Sequence, residues 1–117
     1  MNDDGIQKRS YAFALRIVSL CKSLSNEPVE RILRGQILRA GTSIGANVEE
    51  AQGAQSKKDF VSKMSIARKE ARETLYWLRL LRDSHVQPAA QMAEIVDECE
   101  QIIRILTSII ISAKQNP

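Results

Sequence analysis

Apolar residues recur along this chain every three or four positions, the spacing of a helix, and nowhere alternate as they would in a strand. Four such stretches are separated by short breaks. The first spans residues 7–24, with a stripe of Ile6, Ser10, Phe13, Ala14, Ile17, Cys21 and Leu24 flanked by Val18 and Leu20. It stops at Ser25-Asn26-Glu27-Pro28, because the residue before a proline disfavours helix. Pro28 then suits the first turn of the next helix.

The second stretch covers residues 29–54, with a stripe of Val29, Ile32, Leu33, Gln36, Ile37, Ala40, Ser43, Ile44, Asn47, Val48 and Ala51. Gln36, Ser43 and Asn47 are thereby expected to face the core. Gly41 and Gly45 each cost a helix about 1 kcal/mol relative to Ala, so a bend or a close helix approach is expected there. The third stretch spans 56–83 and opens with Ser56-Lys57-Lys58-Asp59, a capping box with Asp in place of Glu. Phe60, Met64, Ala67, Ala71, Thr74, Leu75 and Leu78 share its apolar face. The fourth spans 88–113 and carries Met92, Ile95, Val96, Cys99, Ile102, Ile103, Leu106, Ile109, Ile110 and Ala113. Four amphipathic helices with short connections predict an all-α fold, an antiparallel up-down-up-down four-helix bundle forming one domain over residues 1–117.

These stripes leave apolar residues over. At about 100° per residue, Ile66, Trp77 and Leu80 point away from the stripe of the third helix, with Tyr76 on the same outer side. Ile105 and Ile111 fall outside the stripe of the fourth. Such residues are costly to leave wet and mark an interface, so Ile66, Tyr76, Trp77, Leu80, Ile105 and Ile111 are candidate contacts of a homo-oligomer.

Composition adds little to the fold but directs the functional reading. The chain has 117 residues, 44% of them hydrophobic but only 4% aromatic, so the core is aliphatic. The net charge of +3 is unevenly spread. Residues 7–39 hold seven basic and two acidic side chains, residues 56–82 eight and three, and residues 88–114 two and four. A split of this kind gives one side of a bundle a positive field. Arg31, Arg34 and Arg39 lie on the second helix. The third carries Lys57, Lys58, Lys63, Arg68, Lys69 and Arg72, the candidate nucleic-acid contacts, together with Arg79 and Arg82. No recognised nucleic-acid motif accompanies them.

Enzymatic chemistry finds no foothold. The one histidine, His85, falls in the predicted loop between the third and fourth helices, and no Glu-x-x-His pair exists for a metal bundle. Cys21 and Cys99 lie on apolar stripes as small hydrophobes. Gly41-Thr42-Ser43-Ile44-Gly45 lacks the Gly-Lys-Ser/Thr of a phosphate loop. No catalytic residue, cofactor or metal is expected. The opening Asn2-Asp3-Asp4 does not resemble a secretion signal. Arg104, Thr107 and Ser108 break the most apolar stretch, which is too short for a membrane span. A cytoplasmic protein is expected.

The run from Gln36 through Arg39, Ser43-Ile44-Gly45-Ala46-Asn47 and Glu49-Glu50-Ala51 resembles the four-helix bundle proteins named after intervening sequences in bacterial 23S ribosomal RNA genes. Ser56-Lys57-Lys58-Asp59-Phe60 and the segment from Ala67 to Leu78, with Tyr76-Trp77-Leu78 at its end, extend the match. Ser43, Ile44, Asn47 and Glu50 agree with the family's core pattern. Gly45 stands where proline is usual, Glu49 where alanine is, and Ala51 where glycine is. The resemblance implies a homopentameric ring without catalytic residues. A related branch holds accessory proteins of diversity-generating retroelements, which bind a reverse transcriptase and nucleic acid.

Helical phase adds one structural expectation. Ser43 and Asn47 point inward, Arg39 and Glu50 flank them, and Glu73 lies at the stripe edge of the third helix. A polar network of Arg39, Ser43, Asn47, Glu50 and Glu73 is expected to lock the second helix against the third. The functional expectation is a non-enzymatic, homo-oligomeric scaffold that binds RNA or DNA, alone or beside a protein partner; a protein–protein adaptor is the alternative.

Overall fold

A computed structural model describes residues 4–84 and 87–116, and leaves His85 outside the described residues. Its elements are α1 (Asp4–Ser23), α2 (Pro28–Gln52), α3 (Lys57–Asp83) and α4 (Ala89–Gln115). They pack as an antiparallel up-down-up-down bundle in a rod of 50 × 21 × 19 Å. The helix ends lie within three residues of those the periodicity predicts. No helix among the described residues is long and apolar enough to cross a membrane.

The turns form as the local chemistry dictates. Pro28 occupies the first turn of α2, where its missing N–H costs nothing. The Arg34 guanidinium reaches back to the α1–α2 turn, donating to the carbonyls of Leu24 (3.2 Å) and Ser25 (3.0 Å) and to Asn26 Oδ1 (3.0 Å). It thereby satisfies acceptors that the end of α1 leaves open. At the start of α3, Ser56 Oγ accepts the Asp59 backbone N–H at 3.0 Å, half of the expected capping box.

The core is aliphatic, as the composition requires. Phe13, Ile17, Ile37, Ile44, Val48, Met64, Leu78, Met92, Ile102 and Leu106 are buried within it. The stripes of α1, α3 and α4 face inward as predicted. The stripe of α2 is narrower than periodicity predicts: Val29 and Ile32 are 59% and 66% exposed, and Gln36 is exposed too. The buried set is Ile37, Ala40, Gly41, Ile44, Val48 and Ala51, which turns Val29, Ile32 and Gln36 outward.

Gly41 is needed because α1 approaches closely. A Cβ there would lie 2.8 Å from Ile17 Cγ1 and Cγ2, and one at Gly45 would lie 3.4 Å from the Ser10 carbonyl oxygen. The expected close approach is therefore present, and its partner is α1. The α1–α4 seam is the loosest of the four. It is stitched by Arg9, whose guanidinium holds Glu98 through bonds of 3.1 and 2.8 Å and donates to Gln101 Oε1 at 2.8 Å. Among the described residues, no buried side-chain nitrogen or oxygen lacks a partner.

Candidate nucleic-acid interface

The basic residues of α2 and those of α3 have different fates. Arg34 is committed to the α1–α2 turn. Arg39 crosses to α3 and forms salt bridges with Glu73 and with Glu70, the latter at 3.2 Å. Both arginines are thus engaged by groups of the fold itself, Arg39 at the surface, whereas Arg31 of α2 makes no ion pair among the described residues. On α3, Arg82 pairs with Asp83. Among the described residues, none of Lys57, Lys58, Lys63, Arg68, Lys69, Arg72 and Arg79 forms a salt bridge.

These cations do not all share one surface. At about 100° per residue, Lys57, Arg68, Arg72 and Arg79 fall within a sector of about 60°, on the edge of α3 toward α4. Lys58 and Lys69 lie on the adjoining outer ridge. With a rise of 1.5 Å per residue, Lys57 and Arg79 are about 33 Å apart along the helix. Lys63 lies on the opposite edge, in a cleft shared with Glu49, Glu50 and Asp59, where nearby carboxylates offset its field. The basic face therefore comprises Lys57, Lys58, Arg68, Lys69, Arg72 and Arg79, without Lys63.

The expected polar network is only partly assembled. Arg39 and Glu73 meet, and Glu70, one turn before Glu73, joins them as a second acceptor that helical phase does not single out. The Trp77 indole N–H donates to Glu73 Oε2 at 3.2 Å. That bond and the Arg39 guanidinium hold the Glu73 carboxyl below its ordinary range. Ser43 and Asn47 do not reach α3. They are half-buried, and Asn47 Nδ2 donates to Ser43 O (2.9 Å) and Ser43 Oγ (3.4 Å) along α2 itself. A short amide on a helix finds the carbonyl four residues back more readily than a neighbouring helix. The Glu50 side chain is exposed and its carboxylate makes no hydrogen bond or salt bridge among the described residues.

The surplus apolar residues also divide. Ile66, Tyr76, Leu80 and Ile111 are exposed. Trp77 and Ile105 are half-buried and pack against the core, so neither is an outward-facing side chain. For Trp77 the bond to Glu73 explains this, since it draws the ring toward the α2–α3 seam. Further apolar side chains are exposed away from these candidates. Tyr11 and Leu15 on α1 are 67% and 55% exposed, and Leu38 on α2 is 39% exposed. Tyr11, Ala14, Thr42, Gly45 and Ala46 line an apolar groove of about 250 Å³ between the two helices. Val18, Cys21, Lys22, Arg34 and Leu38 line a second groove on the same pair of helices. The spacing of Tyr11, Leu15 and Val18, i, i+4 and i+7, is a second helical stripe that periodicity could have shown.

Neither cysteine belongs to a site. Both thiols are free and buried. Cys99 Sγ donates to the Ala71 carbonyl at 3.4 Å, and burial pushes its pKa up to about 12. Burial also raises that of Cys21, with the charge of Arg34 opposing. Among the described residues, no group of three or more His, Cys, Asp or Glu side chains could hold a metal ion.

Known proteins share this architecture. A family model described as 23S rRNA-intervening sequence protein matches residues 2–108. A 1.70 Å crystal structure of a protein with unknown function from the S23 ribosomal protein family of Bacteroides thetaiotaomicron is 47% identical. The match covers 94% of this chain and 98% of that one, with a TM-score of 0.88. No curated protein matches the sequence.

Proposed function

The chain belongs to the 23S rRNA-intervening sequence protein family, and from that premise we propose a non-enzymatic homo-oligomeric scaffold that binds nucleic acid through the outer face of α3. One observation carries the reading: Lys57, Lys58, Arg68, Lys69, Arg72 and Arg79 share one side of α3, and none of them forms a salt bridge among the described residues. Cations that form no salt bridge are available to phosphates, which they bind with little regard to sequence and with steep salt dependence. A ring of copies repeats the face, so modest contacts add through multivalency.

Self-association is supported by two separate apolar surfaces on each subunit. One is the α1–α2 side of the bundle, where Tyr11, Leu15 and Leu38 are exposed. The other lies near the α1–α2 turn and the end of α3, where Val29, Ile32 and Leu80 are exposed. Two unlike surfaces suit head-to-tail packing, which closes into a ring. A pentamer is the number that the family resemblance suggests.

Light scattering and fluorescence anisotropy test both halves. The expected mass is a multiple of the 13.1 kDa chain, and binding to a generic oligonucleotide should weaken at least tenfold between 50 and 200 mM salt. A monomer at micromolar concentration, or no binding at 50 mM salt, would overturn the corresponding half. The α1–α2 groove, apolar and without a cation at its centre, favours a second reading as a protein–protein adaptor. A protein partner retained after nuclease treatment would support that alternative.

A further inference from the structure

We propose that the basic face of α3 is built for single-stranded nucleic acid, with the Tyr76 ring as the platform on which an unpaired base stacks. The proposal rests on the nucleic-acid reading above and narrows it to one class of ligand. A basic face alone does not distinguish strands, because a duplex also presents phosphates. An exposed ring among the cations does distinguish them, since only an unpaired base has a free face to lay against it.

Tyr76 is 55% exposed and sits on the outer ridge of α3. Lys69 lies two turns before it on the same ridge and Arg72 one turn before, while Arg79 follows three residues later. A strand whose phosphates track these cations passes over the ring. The placement matches how proteins grip single strands, a positively charged track with aromatic side chains along it.

The ring is also held in place. Tyr76 meets Trp77 edge-to-face, with centroids 5.2 Å apart and planes at 74°. Trp77 packs on the core and donates its indole N–H to Glu73. Glu73 is in turn salt-bridged to Arg39 of α2. Two helices thus brace a side chain whose outer part is left to solvent. A braced ring loses less freedom on binding than a loose one, which gives this network a purpose beyond joining α2 to α3.

The test measures anisotropy of a labelled 20-nucleotide oligo(dT) and of a 20-base-pair duplex at one low salt concentration, with light scattering of each protein sample. The wild type is expected to bind oligo(dT) more tightly than duplex. Tyr76→Ala should weaken oligo(dT) binding about tenfold and leave duplex binding and assembly mass unchanged. Tyr76→Phe, which keeps the ring, should stay within twofold of wild type, while Arg72→Ala should weaken both ligands alike. Fluorescence of Trp77, the single tryptophan, should change when oligo(dT) binds and not when duplex does. Equal affinity for the two ligands with no selective loss in Tyr76→Ala would overturn the proposal and leave the nucleic-acid reading standing. A changed assembly mass in Tyr76→Ala would place the ring at a subunit boundary and overturn it too. Binding to neither ligand would remove the nucleic-acid reading itself.

Discussion

The α1–α2 and α3–α4 pairs follow one antiparallel plan but meet by different means. In the first, glycine brings the backbones together: Gly41 lies against Ile17 and Gly45 against Ser10. In the second there is no glycine. Cys99 meets the Ala71 carbonyl, while Met64, Ala67, Leu78, Ile102 and Leu106 fill the interior. The outer faces differ as well. A close backbone approach leaves larger side chains outside the seam, and Tyr11, Leu15 and Leu38 stay exposed on the α1–α2 side. The outside of α3 carries cations that the fold does not pair. One bundle can thus assign adhesion and charge to different helix pairs, provided the inner stripes alone close the core.

The largest effect is expected on the apolar α1–α2 side. Leu15→Lys combined with Leu38→Lys places two charges on the α1–α2 face, and like charges across an apolar contact oppose association. The expected outcome by light scattering is a fall from the oligomer to the 13.1 kDa monomer with helical content retained. A smaller effect is expected from the other face. Arg68→Glu with Arg72→Glu should weaken oligonucleotide binding more than tenfold without changing the assembled mass. The slope of log affinity against log salt should fall by about 1.4 for a single strand, about 0.7 for each phosphate no longer neutralised.

Cys99 sharpens the view of the α3–α4 pair through pH. Its thiol keeps its proton in the fold up to about pH 12, whereas an ordinary thiol loses it near 9.0. As pH rises through 9, the unfolded chain releases a proton that the folded chain retains. The stability is therefore complete below pH 9 and declines above it, by at most about 1.4 kcal/mol per pH unit. Denaturant melts at pH 8, 9 and 10 should show the decline, and Cys99→Ala should flatten it. The smallest effects concern the α1–α2 approach. Gly41→Ala forces a Cβ into the buried Ile17 side chain, a cost of about 1–3 kcal/mol. Ala's helix preference offsets about 1 kcal/mol of that, so a modest net loss is expected. A Cβ at Gly35 would meet nothing within 4 Å, and Gly35→Ala should raise stability by about 1 kcal/mol. Thermal melts of the two variants should move in opposite directions.

Much of this molecule is legible without its structure. Periodicity finds the stripes of α1, α3 and α4 because bulky apolar residues recur on a single face of each. It misplaces Val29, Ile32 and Gln36 of α2, since a stripe drawn too wide takes in residues that the buried set from Ile37 to Ala51 turns outward. Helical phase pairs Arg39 with Glu73 correctly. It fails for Ser43, Asn47 and Glu50, because a side chain's choice between its own helix and the next depends on reach.

The four helices, their turns and the aliphatic core follow from local preference and from which positions must leave water, and both are written in the chain. Which arginines are engaged depends instead on packing. Arg34, Arg39 and Arg72 are alike in composition, yet the first two are consumed by a turn and by a neighbouring helix while the third is exposed without a salt bridge among the described residues. That difference comes from what packing places within a few ångströms of each guanidinium, and packing brings together residues that are far apart in the chain.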